Sequence, residues 1–174
     1  QNPERDKFAW FAHYLFVKNY AIVHTKVAVK IKNAADFMAQ PQLQMGAVAS
    51  FKHGTAQDEW LAQLRQAKRV QESPDAEILF MKLKDHRVDA IFSHPPVYRK
   101  YLSAMGMEKT VEIQDWTPGE KRVSAGLVLS KYHFSAAEVE KWRTLVFEMM
   151  NDGTLKKIYM KYMTDAEASR MLDL

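Results

Sequence analysis

Between residues 43 and 104, short apolar runs alternate with amphipathic helical stripes, and this alternation limits the possible folds more than any other feature. Leu43–Ser50 is a β-leaning run, and Ala56–Gln66 follows as a helix with Trp60, Leu61 and Leu64 on one face. Lys68–Gln71 is a short strand. Ser73-Pro74 then offers an N-cap and a proline at the first helical position. Ala76, Leu79, Phe80 and Leu83 recur at i, i+3, i+4 and i+7, a helical stripe. Val88–Ser93 is a short apolar run, which suits a strand buried on both faces of a parallel sheet. Pro96–Ala104 is predicted helical, with Gly106 near its end. The expected class is α/β with a mixed, mainly parallel sheet, in which 43–49 and 88–93 are parallel neighbours.

The flanks read differently. Tyr14–Val29 is β-rich and is expected to form one or two strands, and Ala34–Ala39 is a short helix that must stop before Pro41. Val111–Trp116 and Arg122–Leu129 are predicted strands on either side of Thr117-Pro118-Gly119. Ser135-x-x-Glu138 and Thr164-x-x-Glu167 are capping boxes. The first opens a helix with Val139, Trp142, Leu145, Val146 and Met149 directed inward; Gly153 ends it, and Leu155–Met163 continues as a second helix.

Composition narrows the function. The 174 residues are 47% hydrophobic and 26% charged, with a net charge of only +4. Basic clusters such as Lys26–Lys32 are interrupted by apolar residues, as on an amphipathic surface strand, so no nucleic-acid partner is expected. Without cysteine there is neither a disulfide framework nor thiol chemistry. No apolar run has the length of a membrane span.

Residues 51–60 carry the main chemical signal. A strand ends in Gly54-Thr55 and a helix follows at once. Thr55 and Asp58 have capping-box spacing, which predicts Thr55 as the N-cap. One side chain satisfies only one of the free amides there; the rest, beside Lys52 and His53, form an anion site at the carboxyl end of a strand. The alternative is an ordinary strand–turn–helix junction. None of the six histidines has metal-ligand spacing, and the serines lack a nucleophile elbow, so no catalytic, metal or cofactor-binding residue is assigned.

Several stretches, in order, resemble the bacterial extracellular solute-binding proteins of family 3, the two-lobed receptors of amino-acid ABC importers. Asn2-Pro3-Glu4-Arg5 with Phe8 is similar to the family's Thr-Pro-Glu-Arg segment, and Lys52-His53-Gly54-Thr55 to its second-lobe ligand loop. Asp85-His86-Arg87-Val88-Asp89-Ala90 resembles a Gly-Arg-Val-Asp-Ala strand entry. Asn151-Asp152-Gly153-Thr154-Leu155, with Ile158-Tyr159 and Lys161-Tyr162, resembles the closing helix. The resemblance implies a type II periplasmic binding protein-like fold with one complete lobe plus C-terminal helices. Residues 1–19 would end the first lobe and form a hinge. Residues 20–120 would be the second lobe, and 121–174 the return strand and first-lobe helices. Most of the first lobe would lie ahead of Arg5.

The resemblance also assigns the ligand contacts: Arg5 for a carboxylate, Lys52 as a variable contact, and Gly54, Thr55 and Ala56 for the second-lobe half of the carboxylate site. The chemistry suits Arg5, since a guanidinium presents paired donors to a carboxylate; the alternative is a solvated arginine. His94 stands where the family carries an aspartate for the ligand's α-ammonium, and it supplies no fixed negative charge. The alternative is a structural histidine at a strand end. The implied function is non-enzymatic: a periplasmic receptor that closes about its hinge on a small polar or anionic, amino-acid-like solute and delivers it to an importer permease. The alternatives are a cyclohexadienyl-dehydratase-like enzyme, with His94 as general acid, and a sensory ligand-binding module. Burying a large apolar side chain contributes about 1.5–3 kcal/mol, so the apolar helices from Ser135 onward are expected to drive self-association where the first-lobe sheet does not cover them.

Overall fold

Short, mostly apolar strands are covered on both sides, and they form the centre of this chain's larger sheet, with the more polar segments Val70–Ser73 and Val111–Gln114 at its edges. The computed structural model describes residues 3–49 and 51–173. Asn2 of the Pro-Glu-Arg segment and Ser50, the expected strand end, lie outside them. The chain divides into two compact units, one of residues 18–121 and one of 1–17 with 122–174.

In the first unit the sheet comprises β2 (Tyr20–His24), β3 (Met45–Val48), β4 (Val70–Ser73), β5 (Ala90–Ser93) and β6 (Val111–Gln114), in the order β4-β3-β5-β2-β6. β3 runs parallel to both β4 and β5, pairing Met45 with Ala90 and Gly46 with Ile91, as the alternation requires. β2 is antiparallel to β5 and β6, so the sheet is mixed in equal halves. Alternate side chains feed two cores. Ala21, Val23, Met45, Ala90 and Phe92 face a cluster with Phe37, Leu61, Leu64 and Trp116. Ile22, Val48 and Ile91 face the other, with Leu79, Phe80, Leu83, Tyr98 and Leu102. The covering helices are α3 (Ala34–Met38) and α4 (Thr55–Gln66) on one side, and α5 (Ala76–Lys84) and α6 (Pro95–Met105) on the other. Gly106, in the left-handed region at φ 66°, ends α6.

Two local expectations are corrected here. Thr25–Ala28 is a single helical turn, α2, rather than strand, and His24 caps it by accepting from the Lys26 amide. Ser73 pairs with Val48 at the end of β4 and is not a cap; Asp75, beyond the proline, accepts from the Ile78 amide and opens α5. One buried cation holds the α3 end in place. The Arg69 guanidinium donates to the carbonyls of Leu43, Met38, Phe37 and Gln40 at 2.7–3.1 Å and lies over the Phe37 ring.

The second unit has a two-stranded antiparallel sheet, β1 (Ala9–Val17) and β7 (Val123–Ser130), with α1 (Pro3–Asp6), α7 (Ala136–Asn151), α8 (Thr154–Tyr159) and α9 (Asp165–Leu172). Both capping boxes form, at Ser135/Glu138 and Thr164/Glu167. Of the five α7 residues expected inward, Val139 and Val146 are buried, Met149 is half-buried, and Trp142 and Leu145 are 40% and 46% exposed. A two-stranded sheet is too narrow to cover the whole apolar face of α7. A cavity of about 440 Å³ remains against β1, lined by Phe11, Phe16, Arg143, Phe147 and Met150 among others.

Candidate functional site

β3 delivers the chain to residues 51–54 at its carboxyl end, and α4 begins at once. Gly54, with φ 134° and ψ 159°, is the N-cap, so the expected Thr55 cap is corrected: Thr55 is the first helical residue. Few side-chain-bearing residues adopt that φ, which makes glycine the natural occupant. Asp58 does not close a box with Thr55. It accepts instead from the His53 amide at 3.2 Å, with the His53 ring Nδ1 at 3.4 Å. The His53 carbonyl accepts from the Asn19 side chain at 2.7 Å, which ties the loop to the start of β2.

The free amides expected at this helix start are the donors of a carboxylate contact. Thr55 N–H donates to Glu120 Oε1 at 2.9 Å and Ala56 N–H to Oε2 at 3.3 Å. Glu120 follows the Thr117-Pro118-Gly119 turn, and its amide donates to the Thr117 carbonyl. Buried Gln57 secures that turn from the helix, donating Nε2 to the Asn19 carbonyl and to Thr117 Oγ1, both at 3.0 Å. A helix start with two amides on one carboxylate is an anion site in use.

Beside it is a cavity of about 380 Å³, with Asn19, Phe51, Lys52, His53, Ser93 and His94 in its lining. His94 is the extended N-cap of α6 and its ring makes no capping bond. Pro95 and Pro96 have no N–H, so the first donors are the amides of Val97 and Tyr98, and both go to the His94 carbonyl at 3.0 Å. The ring Nδ1 is buried with no hydrogen-bond partner. Burial lowers the His94 pKa, and the neighbouring His53 lowers it further. Burial likewise lowers His53, opposed by Asp58 and reinforced by Arg65 and Lys52. Both imidazoles are therefore disfavoured as cations, and Lys52 is the cavity's charged donor.

The structure thus brings Lys52 and His94 to one cavity and gives Thr55 and Ala56 a carboxylate partner, with Gly54 leaving the space it fills. Arg5, an exposed residue on α1, belongs to the other unit. Glu120 and Asn19 were not singled out from the sequence, which placed His53 beside the anion site without its partner Asp58. The His53–Asp58 pair was within reach, since the two residues are five apart. Glu120 is 65 positions from Thr55, and no local pattern marks it. Among the described residues no group of three or more His, Asp and Glu is placed to hold a metal ion.

No protein-family profile matches the sequence, and no curated protein matches it. Solved structures do match, and they show the fold. The chain has the type II periplasmic binding protein-like fold of amino-acid solute-binding proteins. It is similar to the L-cystine solute receptor of Neisseria gonorrhoeae in its unliganded open conformation, at 20% identity and TM-score 0.66, over 93% of this chain and 62% of that one. It is also similar to an ancestral arginine-binding protein bound to arginine, at 24% identity and TM-score 0.63, over 93% and 67%. A third is an ancestral amino-acid-binding protein described as a precursor of cyclohexadienyl dehydratase, at 20% identity and TM-score 0.60, over 93% and 65%. The chain thus spans about two thirds of the length of these structures. Among the described residues no helix is long and apolar enough to cross a membrane.

Proposed function

We propose that the protein is a solute-binding component of an ABC importer, acting in the periplasm on a small, carboxylate-bearing, amino-acid-like solute. The observation that carries this is the pair of α4 amides on a carboxylate beside the cavity of Lys52, His53 and His94. On this proposal residues 20–120 are the second lobe, 1–19 and 121–174 belong to the first, and the hinge lies where the chain passes between its two compact units. Gly54, Thr55 and Ala56 hold the carboxylate with Arg5, Lys52 adds positive potential, and His94 takes the place of the ammonium-binding acid. The partners are the solute and a permease, and closure about the hinge is the signal for delivery. The preferred solute has an anionic group and no essential α-ammonium. A thermal-shift and calorimetric panel of L-amino acids, their Nα-acetyl forms and simple dicarboxylates tests this. Saturable binding that survives amine blocking supports it; tight binding of an L-amino acid that blocking abolishes refutes the assigned role of His94.

The similarity to a dehydratase precursor favours one enzymatic alternative, with His94 as its acid–base group. Turnover of prephenate or arogenate, with release of carbon dioxide and water, would support it over transport. A second copy of the chain is proposed to cover the apolar face of the smaller unit. Val128 and Phe147 are each 59% exposed there, and the open cavity lies against β1. Light scattering should show a mass above 20.2 kDa that rises with concentration; a constant monomer mass refutes self-association.

A further inference from the structure

A carboxylate already occupies the two amides of α4, and it belongs to the chain itself. Glu120 Oε1 and Oε2 accept from Thr55 N–H and Ala56 N–H at 2.9 and 3.3 Å. The surroundings are shaped for it. A Cβ on Gly54 would come within 2.7 Å of Oε1 and 3.0 Å of the carboxyl carbon, so the glycine leaves the space that the carboxylate fills. The turn behind Glu120 is fixed from the helix by Gln57 through Thr117. The adjoining cavity is not saturated in the same way. His94 is part of its lining, and the ring Nδ1 is buried without a hydrogen-bond partner, whereas the Thr55 and Ala56 amides are already taken.

We propose that Glu120 is a tethered competitor of the ligand carboxylate: an autoinhibitory contact that an incoming solute must displace from the Thr55 and Ala56 amides. The inference rests on the receptor function proposed above and deepens it by naming what controls the site. A tethered group competes at a high local concentration that dilution does not reduce. Apparent affinity falls by the fraction of molecules in which the amides are free, so occupancy of about 90% weakens binding about tenfold. The contact also selects. A solute lacking a carboxylate gains nothing by entering, because it cannot replace the two hydrogen bonds it would break.

The test uses the full chain, labelled with ¹⁵N, and sodium acetate as the probe at constant ionic strength. In E120A the Thr55 and Ala56 amide resonances should shift from their wild-type positions. They should then respond to acetate saturably, with an apparent Kd at least about tenfold below that of the wild type. E120Q keeps the side-chain shape and removes the charge, and it should fall between the two; it also serves if E120A does not fold. Equal acetate responses in wild type and both variants would overturn the proposal, as would no response in folded E120Q and E120A. Repeating the titration with L-arginine and Nα-acetyl-L-arginine separates the two levels. If acetate competes as expected but neither amino-acid probe binds any variant, the tether stands and the receptor function falls. If either probe binds wild type and E120A equally well through the same amides, the tether falls and the receptor function stands.

Discussion

Replacing His94 with aspartate tests stability and specificity at one atom cluster. His94 is the N-cap of α6 in an extended conformation, and its ring makes no bond to the helix. The two prolines that follow leave the Val97 amide as the first donor within reach of a short side chain. An aspartate there shares that amide, which already donates to the residue-94 carbonyl at 3.0 Å, so the gain is at the low end for a cap, about 0.5 kcal/mol. Its charge at the positive end of the helix adds about 0.3–1 kcal/mol. Partial burial of the charge offsets part of this, leaving about 0.5 kcal/mol in favour, or about 1–2 °C in Tm for a chain of this size. H94N supplies the cap without the charge, so both variants should melt higher than the wild type. Only H94D supplies an anion for an ammonium. A hydrogen bond to a charged group contributes about 1.5–3 kcal/mol, so H94D should bind L-arginine about tenfold to a hundredfold more tightly than H94N does. Nα-acetyl-L-arginine should show no such difference. Calorimetry on the three proteins reads the effect. Equal affinities of H94D and H94N for L-arginine, or an equal gain for the acetylated form, would refute the placement of His94 at the ammonium position.

Gly126→Ala should disrupt the β1–β7 pair, because the new Cβ would lie 2.1 Å from the Ala12 carbonyl oxygen and 2.6 Å from His13 Cα, both backbone atoms. A loss of about 1–3 kcal/mol or more is expected, and an unchanged Tm would contradict the register. Arg69→Met strips four buried or part-buried carbonyls of their donor. Urea denaturation should show a loss of about 3 kcal/mol, and a loss below about 1 kcal/mol would show that water replaces the guanidinium. Because burial lowers the pKa values of His53 and His94 below the usual 6.5, the unfolded chain takes up protons first as pH falls. Stability should therefore be full above pH 6.5 and decline as pH drops towards the folded-state values. His13 and His24 act in the same direction, so an H53Q/H94N double variant should flatten the decline only in part.

The centre of the larger sheet was legible because β3 and β5 are buried at every position. A short, largely apolar run such as residues 88–93 has few other places to go, and the β3–β5 parallel pairing followed from it. The capping boxes of α7 and α9 were legible for the opposite reason, since four consecutive residues hold all of their geometry. Errors arose where two local solutions compete. Ser73 and Asp75 straddle Pro74, and sheet pairing claims Ser73, leaving Asp75 to cap. At α4 the positive φ of Gly54 moved the cap one residue back and freed two amides for a distant acid. The apolar stripe of α7 was read correctly as a stripe, but coverage of Trp142 and Leu145 depends on the width of the neighbouring sheet, which no periodicity reports. Arg69 and Glu120 lay beyond sequence reasoning altogether. Each is defined by partners 26 or more positions away, and a charged residue in an ordinary polar context gives no sign of them.

The central claim is that the helix start at Thr55 is where this protein takes hold of a solute carboxylate. Amide mapping with the tightest ligand of the proposed panel tests it most directly. The largest saturable shifts should fall on Thr55 and Ala56, followed by Lys52, His53 and His94, and Glu120 should move as it is displaced. Saturable binding whose shifts lie elsewhere, leaving the Thr55 and Ala56 resonances in place, would contradict the claim.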